Sequence, residues 1–331
     1  MKHHQEGPFD TSQDPPTFVG SPDVEVFRSY LRQHKSFDLK EKVMSEHEAV
    51  ARFVSDGDYI GFELYGTVRC PMSIAREIVR QRKKHLKVLG QGILEVDLLL
   101  AAGLVDYMDI TYVGYEVYGV SPILRRAVEQ GKVRTADWSN GAIAWRLKAA
   151  AMGVPFIPIR SMLGSEMLKT NGAVAMTDPY TGLEVVLLPA LVLDVGIIHV
   201  HRADPYGNAQ IDGIQGFAAE LARASKKLII SAEEIVDPEE IRKYPERTII
   251  PYFLVDAVVH APFGSHPGEM AYMYERDEPH LKMYLQKIRT EEGAQEYLEE
   301  YVYSTANHEE YIEKVGGWDR MKVLSKLAVK R

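Results

Sequence analysis

The feature that most constrains the fold is a series of short runs rich in Val, Ile and Leu, separated by segments whose apolar residues recur at helical spacing. DYIGFEL from Asp58, LKVLG ending at Gly90, GVPFIPI, EVVLLP, LDVGIIHV, KKLIISAEEI and FLVDAVVHAP read as strands buried on both faces. Residues 72–82 read as a helix with Ile74, Ala75, Ile78 and Val79 on one face. Ser45, with Glu48 three residues on, has the form of a capping box opening a helix that runs to Phe53. Strands alternating with helices predict an α/β fold, an open and mostly parallel sheet flanked by helices. Residues 279–315 extend it as a helical, acidic C-terminal segment with Tyr297, Leu298, Tyr301 and Val302 on one face. Residues 1 to about 22 are polar and hold Pro8, Pro15, Pro16 and Pro22. Residues 1–38 are therefore expected to form a flexible extension with one short helix, and residues 39–331 a single domain ending in helices.

Charge and cysteine content narrow the function. A net charge of −8 over 331 residues argues against a nucleic-acid partner, and any anionic ligand must meet a local Arg or Lys. The single Cys70 forms no intramolecular disulfide, and the first residues lack the layout of a secretory signal. The longest apolar stretch is interrupted by Pro189 and Asp194, so a cytoplasmic location without membrane association is expected. GxGxxG, the phosphate-binding loop ending in GK[ST], HExxH, CxxC and GxSxG are all absent. His199 and His201, two apart on a strand, point to one face and are expected to be hydrogen-bonded strand-end residues rather than metal ligands. No metal and no permanently bound cofactor is expected. Cys70 is expected to be a buried structural thiol.

Four loops that follow strands are ligand candidates, because open α/β sheets bind ligands beyond the carboxyl ends of their strands. GFELYGTVRCP leaves a strand through Gly66 and brings Arg69 to a helix start, where backbone N–H groups and a guanidinium suit phosphate or carboxylate. The others are LGSEM around Gly164 and Ser165, ADPYGNA around Gly207, and APFGSHPGEM around Gly264. Each composition also suits an ordinary turn.

The runs VDAVVHAPFGSHPGEMAYMYERDEPHLKMY, EEIVDPEEIRKYP and AAAMGVPFIPI resemble segments of glutaconate CoA-transferase α subunits, in collinear order within roughly residues 40–315. The same stretch is similar to the α subunit of the actinobacterial steroid-ring-opening CoA hydrolase. The resemblance to this class I CoA-transferase group implies its α-subunit fold, a coenzyme A thioester as substrate, a β-subunit partner, and small-molecule acyl-CoA and carboxylate ligands. It matches Arg69 and Pro71 to the Arg and Pro of a GGF-x-x-x-R-x-P loop, whose glycine pair is replaced here by Glu63 and Leu64, with Tyr65 as the aromatic residue. It also matches Arg125 and Arg126 to a basic pair, Gly164 and Ser165 to a loop, and Gly264, His266 and Pro267 to a G-x-H-P turn. For each match a turn or a surface charge is the alternative.

In the transferases the attacking glutamate belongs to the β subunit, in a Ser-Glu-Asn-Gly type motif that this chain lacks, so the resemblance implies half an active site. Likeness to the hydrolase instead places Glu116, in TYVGYEVYG, at or next to an acidic residue suited to general-base work. Glu63 is a second catalytic candidate, or else a partner for Arg69. Three readings remain open at this point: transferase subunit, hydrolase subunit, and a non-catalytic module binding an acyl-CoA or sugar phosphate.

Overall fold

The computed structural model describes residues 23–63, 66–90 and 94–329. The extension expected over residues 1–22, and Leu64 and Tyr65 of the loop match, lie outside the described residues. The strands are β1 (Tyr59–Glu63), β2 (Leu86–Gly90), β3 (Val105–Ile110), β4 (Arg134–Asp137), β5 (Phe156–Ile159), β6 (Val174–Thr177), β7 (Glu184–Pro189), β8 (Leu193–Ala203), β9 (Ala209–Gln210), β10 (Ser225–Ile235), β11 (Thr248–Ile250) and β12 (Ala257–His260). The helices are α1 (Val24–His34), α2 (Glu46–Phe53), α3 (Met72–Arg80), α4 (Leu94–Ala101), α5 (Pro122–Glu129), α6 (Asn140–Met152), α7 (Ala218–Arg223), α8 (Pro238–Arg242), α9 (Glu278–Lys287), α10 (Glu291–Leu298), α11 (His308–Lys314) and α12 (Gly317–Leu327).

The main sheet runs β12-β10-β8-β1-β2-β3-β4, with every neighbouring pair parallel. Short antiparallel pairings add β9 to the end of β8 and β11 to β9. Successive residues of a strand point to opposite faces, so a run covered on both sides must be apolar throughout. Ile60, Phe62, Ile197 and Ile229 enter one core with helices α2, α3, α4, α9 and α10. Tyr59, Ile198, Ile230 and Leu228 enter the other, with α1, α6 and α7. Ser45 accepts from the Glu48 N–H at 3.2 Å, as the capping-box spacing predicts. From β1 the chain builds outward through β2, β3 and β4, then returns to β8 on the other side of β1 and continues to β10 and β12. The strand order therefore reverses between β1 and β8, which opens a crevice at their carboxyl ends.

One part of the strand reading is corrected. GVPFIPI and EVVLLP do not join the buried parallel sheet: β5, β7 and β6 form a separate antiparallel sheet in the order β5-β7-β6, and alternate residues of β5 are exposed. Pro158 removes a ladder donor and confines β5 to an edge, a signal outweighed in the sequence by the surrounding Val and Ile.

The C-terminal helices pack with Tyr297, Leu298 and Val302 buried and Tyr301 half-buried, as the pattern predicts. Arg80 Nε ties this segment to α3 by donating to the Thr305 carbonyl at 2.7 Å, and Arg320 binds both oxygens of Asp277 at 2.7 and 2.8 Å. The helix expected near the N-terminus is α1, whose Val24 and Phe27 enter the second core. Among the described residues no helix is long and apolar enough to cross a membrane.

Candidate active site

A buried polar network fills the carboxyl ends of β1 and β8. Glu63, the last residue of β1, meets Arg69 from the loop that follows: Arg69 Nη1 lies 2.7 Å from Glu63 Oε2 and Nη2 donates to Oε1 at 3.1 Å. Both side chains are buried. Arg69 Nη1 also donates to the His199 carbonyl at 3.2 Å, which couples the loop to β8. Arg69 itself takes φ +56°, a left-handed conformation uncommon for a side-chain-bearing residue. Gly216 covers the pair, and a Cβ there would lie 2.3 Å from Glu63 Oε1.

His199 extends the network to β10. Its Nε2–H donates to Glu233 Oε1 at 2.7 Å and its Nδ1 lies 2.8 Å from Ser231 Oγ. The Glu233 carboxylate also accepts from Tyr274 OH at 2.5 Å and from the Phe263 N–H at 2.6 Å. Gly264 is required beside this ring, since a Cβ would come within 2.6 Å of both His199 Cε1 and the Ala261 carbonyl. His201 donates from Nε2 to the Ala271 carbonyl at 2.9 Å and accepts the Asp212 N–H on Nδ1 at 3.1 Å. Burial lowers its pKa to about 4, which matches this neutral tautomer. Both histidines are thus hydrogen-bonded as expected, although they lie within β8 rather than at its end.

Glu116 reaches the same crevice from another direction. It sits exposed at φ +52° in the turn between β3 and α5, and a Cβ on Gly66 would lie 3.6 Å from its Oε1. The turn is tight: the Tyr115 N–H bonds to the Gly119 carbonyl at 2.7 Å, and Gly119 takes φ +87°. Beyond Gly66 the loop pairs with Glu269, whose N–H donates to the Thr67 carbonyl at 3.0 Å and whose Oε2 accepts from Thr67 Oγ1 at 2.8 Å. Glu269 leads into a cleft of about 490 Å³, with Ile214, Tyr272 and Val329 on its apolar walls and Glu275 at its rim. Its size suits a small organic ligand.

Two buried carboxyl groups near the crevice carry no sequence signature. Glu95 and Asp97 lie in the first turn of α4, and both are fully buried. Burial raises Glu95 to about 8, and among the described residues neither of its oxygens makes a hydrogen bond of good geometry, although the Cys70 thiol adjoins it. Burial raises Asp97 to about 6 against the opposing bonds from Ser121 and Tyr115. Cys70 is buried, and burial pushes its thiol well up, as a structural role requires.

The remaining sequence candidates stand elsewhere. Ser165 caps a short 3-10 turn by accepting from the Met167 N–H at 3.2 Å, and Gly164 precedes it at φ +73° in the connection from β5 to β6. Arg125 is exposed on α5. Arg126 points to the end of α9 and donates to the carbonyls of Ile288 and Arg289, each at 2.9 Å. A guanidinium at a helix C-terminus satisfies orphan carbonyls and complements the helix dipole. Arg126→Ala is expected to lower stability by about 1–2 kcal/mol, measured by denaturant unfolding. His266 is buried: Tyr311 OH lies 2.8 Å from its Nδ1, and its Nε2–H donates to Asp277 at 3.3 Å. The helix start behind Arg69 is occupied as well, since the Ser73 N–H donates to the Gly264 carbonyl at 3.1 Å. The structure therefore brings Glu63, Gly66, Arg69, Glu116 and Gly264 together, and leaves Arg126, Ser165 and His266 in other local networks.

Comparison with known proteins gives a consistent match. The model of the family described as coenzyme A transferase matches residues 43–261. An uncharacterized protein of Archaeoglobus fulgidus is 49% identical, over 93% of this chain and 70% of its own length. The A subunit of glutaconate CoA-transferase from Acidaminococcus fermentans is 35% identical over 83% of this chain and 92% of its own. The crystal structure of glutaconate coenzyme A-transferase from that organism superposes with a TM-score of 0.82 at 33% identity, covering 86% of this chain and 95% of that one. The cholesterol ring-cleaving hydrolase IpdA subunit of Mycobacterium tuberculosis is 31% identical over 81% of this chain and 95% of its own.

Proposed function

Because this chain belongs to the coenzyme A transferase family, we propose that it is the α subunit of a heteromeric enzyme moving CoA from an acyl-CoA to a carboxylic acid, with the attacking glutamate supplied by a β subunit. The observation that carries the reading is the state of Glu63. The carboxylate at the switch point is buried and held by Arg69, so it is not free to attack a thioester. Glu116 stands exposed beside Gly66 at the mouth of the crevice. A partner carboxylate entering there would attack the thioester carbonyl and expel the CoA thiolate, leaving a mixed anhydride. The thiolate would then attack the enzyme-side carbonyl, releasing the first acid and leaving CoA on the partner glutamate. An acceptor carboxylate reverses these steps, and the sequence needs no metal or redox group. The cleft beside Glu269 would take the acyl chain.

The position of Glu116 favours one alternative, in which it acts as general base on water or on a β-keto thioester and the enzyme is a hydrolase. Co-expression with the chain encoded beside it, followed by incubation with acyl-CoA, separates the two. The transferase is expected to carry CoA as a thioester on the partner chain, seen by mass and removed by borohydride, and a free carboxylate should accelerate CoA exchange. Glu116→Gln should still form the adduct. If no adduct forms, a carboxylate has no effect and Glu116→Gln lowers turnover by roughly 100- to 10,000-fold, the hydrolase reading replaces the transferase.

A further inference from the structure

We infer that Asp97 is a positioning residue that sets the geometry of Glu116 by clamping both flanks of the turn that carries it. This rests on the alternative reading above, in which Glu116 acts as general base.

The turn spanning residues 111–121 is fastened from below by a single carboxylate. Asp97 Oδ1 accepts from Ser121 Oγ at 2.6 Å, and its other oxygen accepts from Tyr115 OH. Tyr115 is the residue immediately before Glu116, and Ser121 ends the turn while capping α5 by accepting from the Leu124 N–H at 3.0 Å. All three side chains are buried, whereas Glu116, Val117 and Tyr118 between them are exposed. A five-residue excursion with one left-handed non-glycine residue holds that conformation only where its surroundings over-determine it. Here the Gly114–Val120 bridge and the Ser121 N–H bond to the Val113 carbonyl at 3.3 Å close the turn on itself, and Asp97 fixes its orientation to α4. The exposed bond from Tyr118 OH to Glu278 adds a second tether, to α9. An ionised carboxylate accepts both hydroxyl protons at once, whereas an asparagine there offers one acceptor oxygen and an NH₂ group that only donates.

The test is a double-mutant cycle between Asp97→Asn and Glu116→Gln in the complex with its β partner, read by kcat and KM and accompanied by amide hydrogen exchange over residues 112–120. Displacing a catalytic group by about 1 Å can cost on the order of 100-fold in rate. Asp97→Asn is therefore expected to lower kcat by roughly 10- to 100-fold with little change in KM, and to speed exchange in the turn. In the Glu116→Gln background the same change should cost less than about twofold, because residues acting through one another are non-additive. Tyr115→Phe, which removes one clamp bond and keeps the ring, should reproduce part of the loss. Equal losses in both backgrounds, or unchanged exchange in the turn, overturn the clamp. If Glu116→Gln alone leaves kcat unchanged, the general-base reading fails instead, and the exchange measurement then decides the clamp by itself.

Discussion

Replacing Arg69 by alanine is expected to destabilise the protein by about 3–5 kcal/mol, the largest stability loss among the residues at the crevice. The substitution leaves the Glu63 carboxylate buried at the end of β1 without its cation, and it removes the donor that meets the His199 carbonyl. Breaking a buried pair costs far more than the pair contributes, because the surviving charge has lost both water and partner. In thermal unfolding the loss should appear as a fall of roughly 4–7 °C. The pair also predicts its own rescue. Arg69→Met combined with Glu63→Leu removes both charges, keeps comparable volume, and should recover most of the lost stability.

The opposite outcome has a distinct meaning. If Arg69→Ala leaves the melting temperature within about 2 °C of wild type and raises the KM for acyl-CoA, the guanidinium is free to hold an anionic group of the substrate. That is the role its place before a helix start suggests. In the structure the guanidinium faces inward, and the Ser73 N–H at the helix start is already bonded to the Gly264 carbonyl. Arg69 there meets Glu63 and the His199 carbonyl.

How far the chain can be read in advance follows from the range of each interaction. The buried strands and the Ser45 cap are legible because a period of two, or a spacing of three, is local. The Glu63–Arg69 pair is legible as an alternative because its members lie six residues apart, across one loop. Asp97, by contrast, meets Tyr115 and Ser121 at separations of 18 and 24 residues, and nothing near it in the sequence marks a carboxylate about to be buried. His266 and Arg126 are candidates only through the family match, and their partners in the structure lie far along the chain, Arg126 bonding the Ile288 carbonyl and His266 meeting Tyr311. The β5-β7-β6 sheet is misplaced for a related reason: apolar content reports burial, not which sheet provides it.

Glu95 gives the second large effect, and its sign is opposite. Burial raises this carboxyl to about 8 from an ordinary 4.5, with the Cys70 thiol and the carboxylates of Asp97 and Glu63 as its charged or titratable neighbours. At low pH both the native and the unfolded chain are protonated at Glu95, and the group is neutral to stability. Above about 4.5 the unfolded chain loses the proton while the native state keeps it, so stability falls as pH rises, by about 1.4 kcal/mol per unit from this residue, until the native group itself ionises near 8. The accumulated loss is roughly 3–5 kcal/mol. Glu95→Gln cannot ionise, so the difference in unfolding free energy between variant and wild type should grow from pH 5 to pH 8 in favour of the variant and level off beyond it. Asp97 titrates in both proteins and cancels in the comparison. Parallel stability profiles would mean that Glu95 is ionised and satisfied in the native state. A variant gaining with pH, as expected, identifies a carboxylic acid held neutral at physiological pH beside the crevice, kept there at the expense of stability.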